Sequence, residues 1–159
     1  MLASGGQIKN LILVDCTSNG NNNVGLVVGK NLGTIKDVQI YASGTSYSKV
    51  QGNENVGAIC GLNLGSVDGC SVGAEVKGSK NVGIVVGTNS NGRVSACETI
   101  KTRIESGSTT IDNHSYVTGA DNVGGIVGYN TGIGSIAECS NEGEVNTNGY
   151  GGGIVGLSD

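Results

Sequence analysis

Apolar residues along this chain come in runs of two or three, broken by Gly, Asn and Ser, and not in stripes at helical spacing. No stretch carries an apolar face at i, i+3, i+4 and i+7 long enough to predict a helix. The runs recur instead. NVGLVVGKN from Asn23 returns as NVGAICGLN from Asn55, NVGIVVGTN from Asn81 and NVGGIVGYN from Asn122. A decayed fifth copy, YGGGIVGLS, starts at Tyr150. The first Gly of each copy (Gly25, Gly57, Gly83, Gly124, Gly152) sets steps of 32, 26, 41 and 28 residues. A unit of 26 to 28 residues, with insertions in the first and third intervals, accounts for these steps. A second segment follows each copy: Gly33-Thr34-Ile35 to Val38, Gly65-Ser66-Val67 to Cys70, Gly92-Arg93-Val94 to Cys97, and Gly134-Ser135-Ile136 to Cys139. Gly6-Gln7-Ile8 to Leu11 is an orphan of the same form, and a looser strand falls around Glu75-Val76 and Glu144-Val145.

A single unit of this kind cannot bury its own apolar side chains and leaves its strand edges open. Stacking the next unit about 4.8 Å above pairs every edge and extends the core. The pattern therefore predicts an all-β fold, a parallel β-solenoid (β-helix-like) of about five coils with Gly/Asn corners, as one domain over residues 1–159. Strands beginning at Val24, Val56, Val82 and Val123 should stack in order, with columns such as Val28, Cys60, Val86, Val127 and Val155. Asn tolerates left-handed backbone and can bond turn amides, so the repeated Asn residues suit the corners, where their amides can also bond one another along the axis. The two long intervals, residues 41–52 and 104–120, should project from the coil, and deleting residues 106–115 should leave the fold intact.

Composition narrows the core. The chain has 30 Gly, five Tyr, and no Pro, Phe or Trp, so the interior must be built from Val, Ile, Leu, Ala and Cys. Such side chains suit narrow layers of strands. Nine Lys and Arg against 13 Asp and Glu give a net charge of −4 with no basic run, which argues against nucleic acid as a partner. The longest apolar stretch, residues 11–14, is too short for membrane insertion. Five cysteines show no CxxC pair. The column Val38, Cys70, Cys97, Cys139 makes three of them a ladder. In-register strands hold neighbouring Cβ atoms near 5 Å, longer than the roughly 3.8 Å of a disulfide, so free, buried and unreactive thiols are expected.

NVGGIVGYN followed by GSIAEC, with VGLVVG, VGAICG and VGIVVG as siblings, resembles the GLUG motif repeat of large bacterial surface proteins. These include adhesin-like proteins and the non-catalytic part of immunoglobulin A metalloproteases. The resemblance implies an extracellular setting at the bacterial cell surface, or secretion, and a spacer or adhesive role. Its partner would be a host or cell-surface protein or glycan. Ile59-Cys60 and Val85-Val86 depart from the motif core, and the fifth copy lacks its Asn-Val. The metalloprotease HExxH is absent, so no catalytic residue carries over.

No chemistry emerges from the residues themselves. His114 is the only histidine, which leaves no two-His metal site, and no cofactor is expected. Gly151-x-Gly153-x-x-Gly156 spells a dinucleotide fingerprint but is only the fifth repeat copy. Asp37 and Asp68 read as equivalent positions about 5 Å apart in successive coils, a spacing that a glycosidase could use. Ala96 and Glu138 follow in that column, so a solvated face is the better account. A non-catalytic module is expected, with a polysaccharide-active β-solenoid enzyme as the alternative. The partner-binding candidates are His114 and Tyr116, placed on the long third interval because loops carry function on rigid scaffolds. The chain opens on half a unit and closes on another without caps. It is therefore expected to be a fragment of a longer protein and prone to end-to-end self-association.

Overall fold

The computed structural model describes residues 1–43, 46–106, 109–113 and 115–159, with backbone alone at 102–106 and 109–113. Among the described residues there are 25 strands and no helix. Four parallel sheets wrap a common core, and the chain visits them in turn once per coil, so the repeat becomes a β-solenoid of about five turns. Sheet I holds the Gly-x-Ile segments: Gln7–Val14, Thr34–Tyr41, Ser66–Asp68, Ser71–Val72, Arg93–Ser95, Glu98–Thr99, Ser135–Ala137 and Ser140–Asn141. Sheet II holds Thr17–Asn19, Ser48–Gln51, Ala74–Lys77, Tyr116–Gly119 and Glu144–Thr147. The NVG halves form sheet III (Asn22–Val24, Glu54–Val56, Lys80–Gly83, Asp121–Gly124, Gly151–Gly152). The second halves form sheet IV (Val28–Asn31, Cys60–Asn63, Val86–Ser90, Val127–Thr131, Val155–Ser158).

Register follows the repeat. Val24 pairs Val56, Val56 pairs Val82, and Val82 pairs Val123. The column Val28, Cys60, Val86, Val127, Val155 runs through sheet IV as expected. The core is thin: its largest fully buried side chains are Ile35, Ile40, Ile59, Ile84 and Ile126, backed by Val. A layer this narrow leaves no room for the aromatic rings that the sequence lacks.

The Asn residues divide into two kinds. Asn23, Asn55, Asn81 and Asn122 take positive φ between 53° and 55° and turn the chain into sheet III. Their amides form a ladder, from Asn55 to Asn23 at 3.0 Å, Asn81 to Asn55 at 3.0 Å and Asn122 to Asn81 at 2.8 Å. Asn31, Asn63, Asn89 and Asn130 form a second ladder with three links of 2.8 Å. The Oδ1 atoms of Asn31 and Asn63 also accept from corner amides, Gly33 N–H at 3.0 Å and Gly65 N–H at 3.2 Å. Buried polar atoms are thus paired chiefly with copies of themselves without widening the core, and Asn122 Oδ1, at the end of the first ladder, is left buried without a partner.

A third left-handed column was not foreseen. Asn10, Asp37, Gly69, Ala96 and Glu138 stack at φ of 54°, 52°, 61°, 49° and 55°, each bending sheet I at one position. This corrects the pairing of Asp37 with Asp68. Asp37 stacks over Gly69, and Asp68 lies beside Lys36, one residue out of register with Asp37. Asp37 and Asp68 are therefore not equivalent positions of successive coils. Ala96 is exposed and forced into a conformation that disfavours its Cβ by roughly 1–2 kcal/mol. Ala96→Gly is expected to raise stability by about 0.5–1 kcal/mol after the entropy of the unfolded chain is set against it. Urea unfolding measures the change, and an unchanged or lower midpoint would show that the backbone there is unstrained.

The insertions are shorter than the sequence suggested. In the first long interval, Ser48–Gln51 is a coil strand of sheet II. In the third, Thr102–Ser106 and Thr109–Asn113 pair as an antiparallel hairpin, the exception to an otherwise parallel fold. Tyr116–Gly119 then rejoins sheet II with Val117 fully buried, so residues 116–120 belong to the coil. Ser115 is buried too, and its hydroxyl donates to the Ile100 carbonyl (2.7 Å), with the Val72 carbonyl 2.9 Å away as an alternative acceptor. Removal of residues 106–115 would cut this anchor, so any deletion must stop short of it.

Candidate functional site

Alternation in sheet II turns Val50, Val76 and Val117 inward and sends their neighbours outward. Parallel in-register stacking then lines the outward residues up. One column reads Thr17, Lys49, Glu75, Tyr116, Glu144, and a second reads Asn19, Gln51, Lys77, Thr118, Asn146. Side by side they make a flat polar face with amides at its ends and a charged, aromatic centre.

Glu75 organises that centre. Its carboxylate accepts from the Tyr116 hydroxyl and pairs with Lys77, while Lys49 Nζ stands 3.9 Å away. Lys77 Nζ also lies 5.6 Å from the centroid of the Tyr116 ring, a cation–π contact. Partial burial works to raise the Glu75 pKa, yet the Lys77 and Tyr116 hydrogen bonds outweigh it and hold the carboxyl below its usual range. Burial, helped by the Glu75 charge, raises Tyr116. The Glu75 hydrogen bond pushes Lys77 up. All three shifts favour the ordinary charge state of each group. Beside them, Thr17, Asn19, Lys49, Gln51, Glu75 and Lys77 border a groove of about 310 Å³. That is the lower end of the range for small-ligand sites.

Of the two partner-binding candidates, Tyr116 therefore sits on a sheet face and not on a projecting loop. His114 lies outside the described residues. Lys49, Glu75 and Lys77 were not singled out from sequence, although the alternation around Val76 could have marked them as outward. On sheet I, Asp68 is also occupied: Ser95 Oγ donates to it at 2.7 Å and Lys36 Nζ stands at 3.0 Å. Those hydrogen bonds, Ser95 first, lower its pKa.

Residues 114–146 match the family model of the GLUG motif. The GLUG match spans one whole circuit from sheet II back to sheet II, and includes NVGGIVGYN and GSIAEC. Tyr116 falls within it. The other NVG copies stack on this GLUG coil in register, strand for strand, so the chain is a GLUG-containing repeat region. No curated protein and no solved structure matches the chain.

The cysteine ladder is real but uneven. Ser71 pairs Glu98 and Glu98 pairs Ser140, which places Cys70, Cys97 and Cys139 in one column. All five cysteines are free. Cys70 and Cys97 are buried as expected, whereas Cys139 is only half-buried, because no further described strand of sheet I covers its coil.

Proposed function

We propose that this chain is a non-catalytic interaction module of a bacterial cell-surface or secreted protein. It acts as a stiff spacer that presents sheet II to a cell-surface glycan. The observation that carries this reading is the ordered outward face around Tyr116, Glu75 and Lys77. Sugars are recognised by planar amides and charged groups that bond vicinal hydroxyls and by a ring against which C–H faces pack. Asn19, Gln51, Lys77 and Tyr116 supply those groups on one flat surface. The solenoid favours such a role because its backbone pairing repeats every coil, so side chains on the face need no separate scaffold. A non-catalytic module is supported by the carboxylates of Glu75 and Asp68, each neutralised by a lysine and held ionised. The GLUG match supports a repeat module of a larger protein.

A glycan array probed with the wild-type chain is the test. Binding to at least one glycan class is expected, reduced about tenfold or more by Tyr116→Ala and by the milder Gln51→Ala, with unchanged circular dichroism. No binding at all, or binding indifferent to both substitutions, would remove the adhesive role from sheet II.

A further inference from the structure

The groove beside Glu75 has a neighbour. Asp15, Thr17, Ser46, Tyr47 and Lys49 border a second groove of about 320 Å³, and Thr17 and Lys49, register partners in sheet II, line both. Each groove alone lies at the lower end of the range for small-ligand sites, and the two together fall well inside it. We propose that they are adjoining subsites for one neutral glycan of at least two sugar units, with Lys49 between them. This rests on the reading of sheet II as a glycan face and names the class of glycan it takes.

The second groove is built by the first insertion, which leaves sheet I after Tyr41 and enters sheet II at Ser48. Asp15, in left-handed backbone at φ 52°, ties down its start: the carboxylate accepts the Ser43 N–H at 3.0 Å and the Ser43 hydroxyl. At the other end the buried Ser48 hydroxyl accepts the Cys16 N–H at 3.2 Å, and the Lys49 N–H donates to the Cys16 carbonyl at 2.8 Å. Tyr47, the aromatic residue of the lining, is thus set between two anchors. A ring placed before the ligand arrives costs little ordering entropy on binding, and its apolar face suits the C–H side of a sugar.

At the shared wall the chemistry selects a hydroxyl. Glu75 Oε1 takes both the Tyr116 hydroxyl and Lys77, whereas Oε2 has only Lys49 Nζ, 3.9 Å away and outside hydrogen-bond distance. Among the described residues nothing else bonds Oε2 or Lys49 Nζ. A donor and an acceptor therefore face each other across a gap that one ligand oxygen can bridge, about 2.8 Å from each. The bridging group must accept from Lys49 and donate to Glu75, which a sugar hydroxyl does and an ionised carboxylate or sulfate does not. Charge points the same way. Lys49 and Lys77 are matched by Glu75 and Asp15, so the linings of the two grooves taken together carry no net charge. An anionic sugar would meet a carboxylate in either groove, and such like-charge contact is penalised.

Saturation-transfer NMR titrations of the full chain test the proposal with cellobiose, maltose, lactose and diacetylchitobiose, their monosaccharides, and digalacturonate as the acidic probe. At least one neutral disaccharide is expected to bind about tenfold or more tighter than its monosaccharides. That affinity should change less than about twofold when salt is raised well above physiological strength, because an uncharged ligand has no charge to screen. Tyr47→Ala should weaken the disaccharide about tenfold, with Tyr47→Phe restoring it, and Lys49→Met should weaken disaccharide and monosaccharide alike. Both positions lie on the outer side of the coil, and circular dichroism checks that the variants fold. Equal affinity for monosaccharide and disaccharide, or binding indifferent to Tyr47→Ala but lost in Tyr116→Ala, would overturn the paired subsites while leaving sheet II a glycan face. A preference for digalacturonate that fades with salt would overturn the neutral ligand. No neutral disaccharide bound at all would overturn the proposal outright, and the glycan array then decides whether the adhesive reading falls with it.

Discussion

Gly61→Ala is expected to destabilise the chain by about 3 kcal/mol or more, the upper end of overpacking penalties. The reason lies in the approach of sheet IV to sheet III. A methyl on Gly61 would stand 2.4 Å from the carbonyl carbon of Asn23, 2.5 Å from its Cα and 2.5 Å from the carbonyl oxygen of Asn55. All three are backbone atoms, so no side chain can swing aside. The same holds one coil on, where Gly87 faces Val56 N at 2.4 Å and the Asn55 carbonyl carbon at 2.5 Å, and again at Gly128 and Gly156. Strands of the two sheets therefore touch backbone to backbone, and the second Gly of every NVG copy fills a place where any Cβ would force the sheets apart. Gly153 is the control, since nothing lies within 4 Å of its would-be Cβ. Gly153→Ala should stay within about 0.5 kcal/mol of wild type. Thermal melts should separate them by roughly 6–12 °C at this chain length. Equal melting of Gly61→Ala and Gly153→Ala would show that the sheets can part freely.

Asn89→Ala should come close behind, with a loss of about 2–4 kcal/mol. Asn89 is fully buried in the middle of its ladder. Its Nδ2 donates to Asn130 Oδ1 at 2.8 Å and to the Gly92 carbonyl at 3.0 Å, and its Oδ1 accepts from Asn63 Nδ2 at 2.8 Å. Truncation strips partners from groups on both neighbouring coils at once, and each buried polar atom left unpaired costs about 1–3 kcal/mol. Asn146→Ala tests whether the effect belongs to the ladder and not to Asn in general. Asn146 is bonded only to the exposed Glu144 at 3.0 Å, and its loss should be small. Chemical denaturation of the two variants gives the comparison, and similar midpoints for both would mean that the ladder contributes little.

The NVG repeat and its Gly-x-Ile companion were enough to fix the fold class, the number of coils and the in-register columns, because a parallel solenoid stacks like on like and a repeat in sequence must become a column in space. The same logic made the Asn ladders legible in advance: a residue that recurs at one position in each unit meets its own copies. Other features depended on neighbours that no single unit reveals. The register slip between Asp37 and Asp68 turned on which residue takes the left-handed bend in sheet I, and Asn10, Asp37, Gly69, Ala96 and Glu138 share no side-chain chemistry that would mark it. The second Gly of each copy reads as a turn residue, yet it is required by the backbone of an adjacent sheet, a distance that sequence does not carry. Tyr116 looked like part of an insertion because the third interval is long. Only the pairing of Thr102–Ser106 with Thr109–Asn113, which absorbs the extra length, returns it to sheet II beside Glu75 and Lys77. Local pattern dictated what repeats, and tertiary packing decided what each repeated position touches, since contacts between coils and between sheets are set by backbone separation and not by residue order.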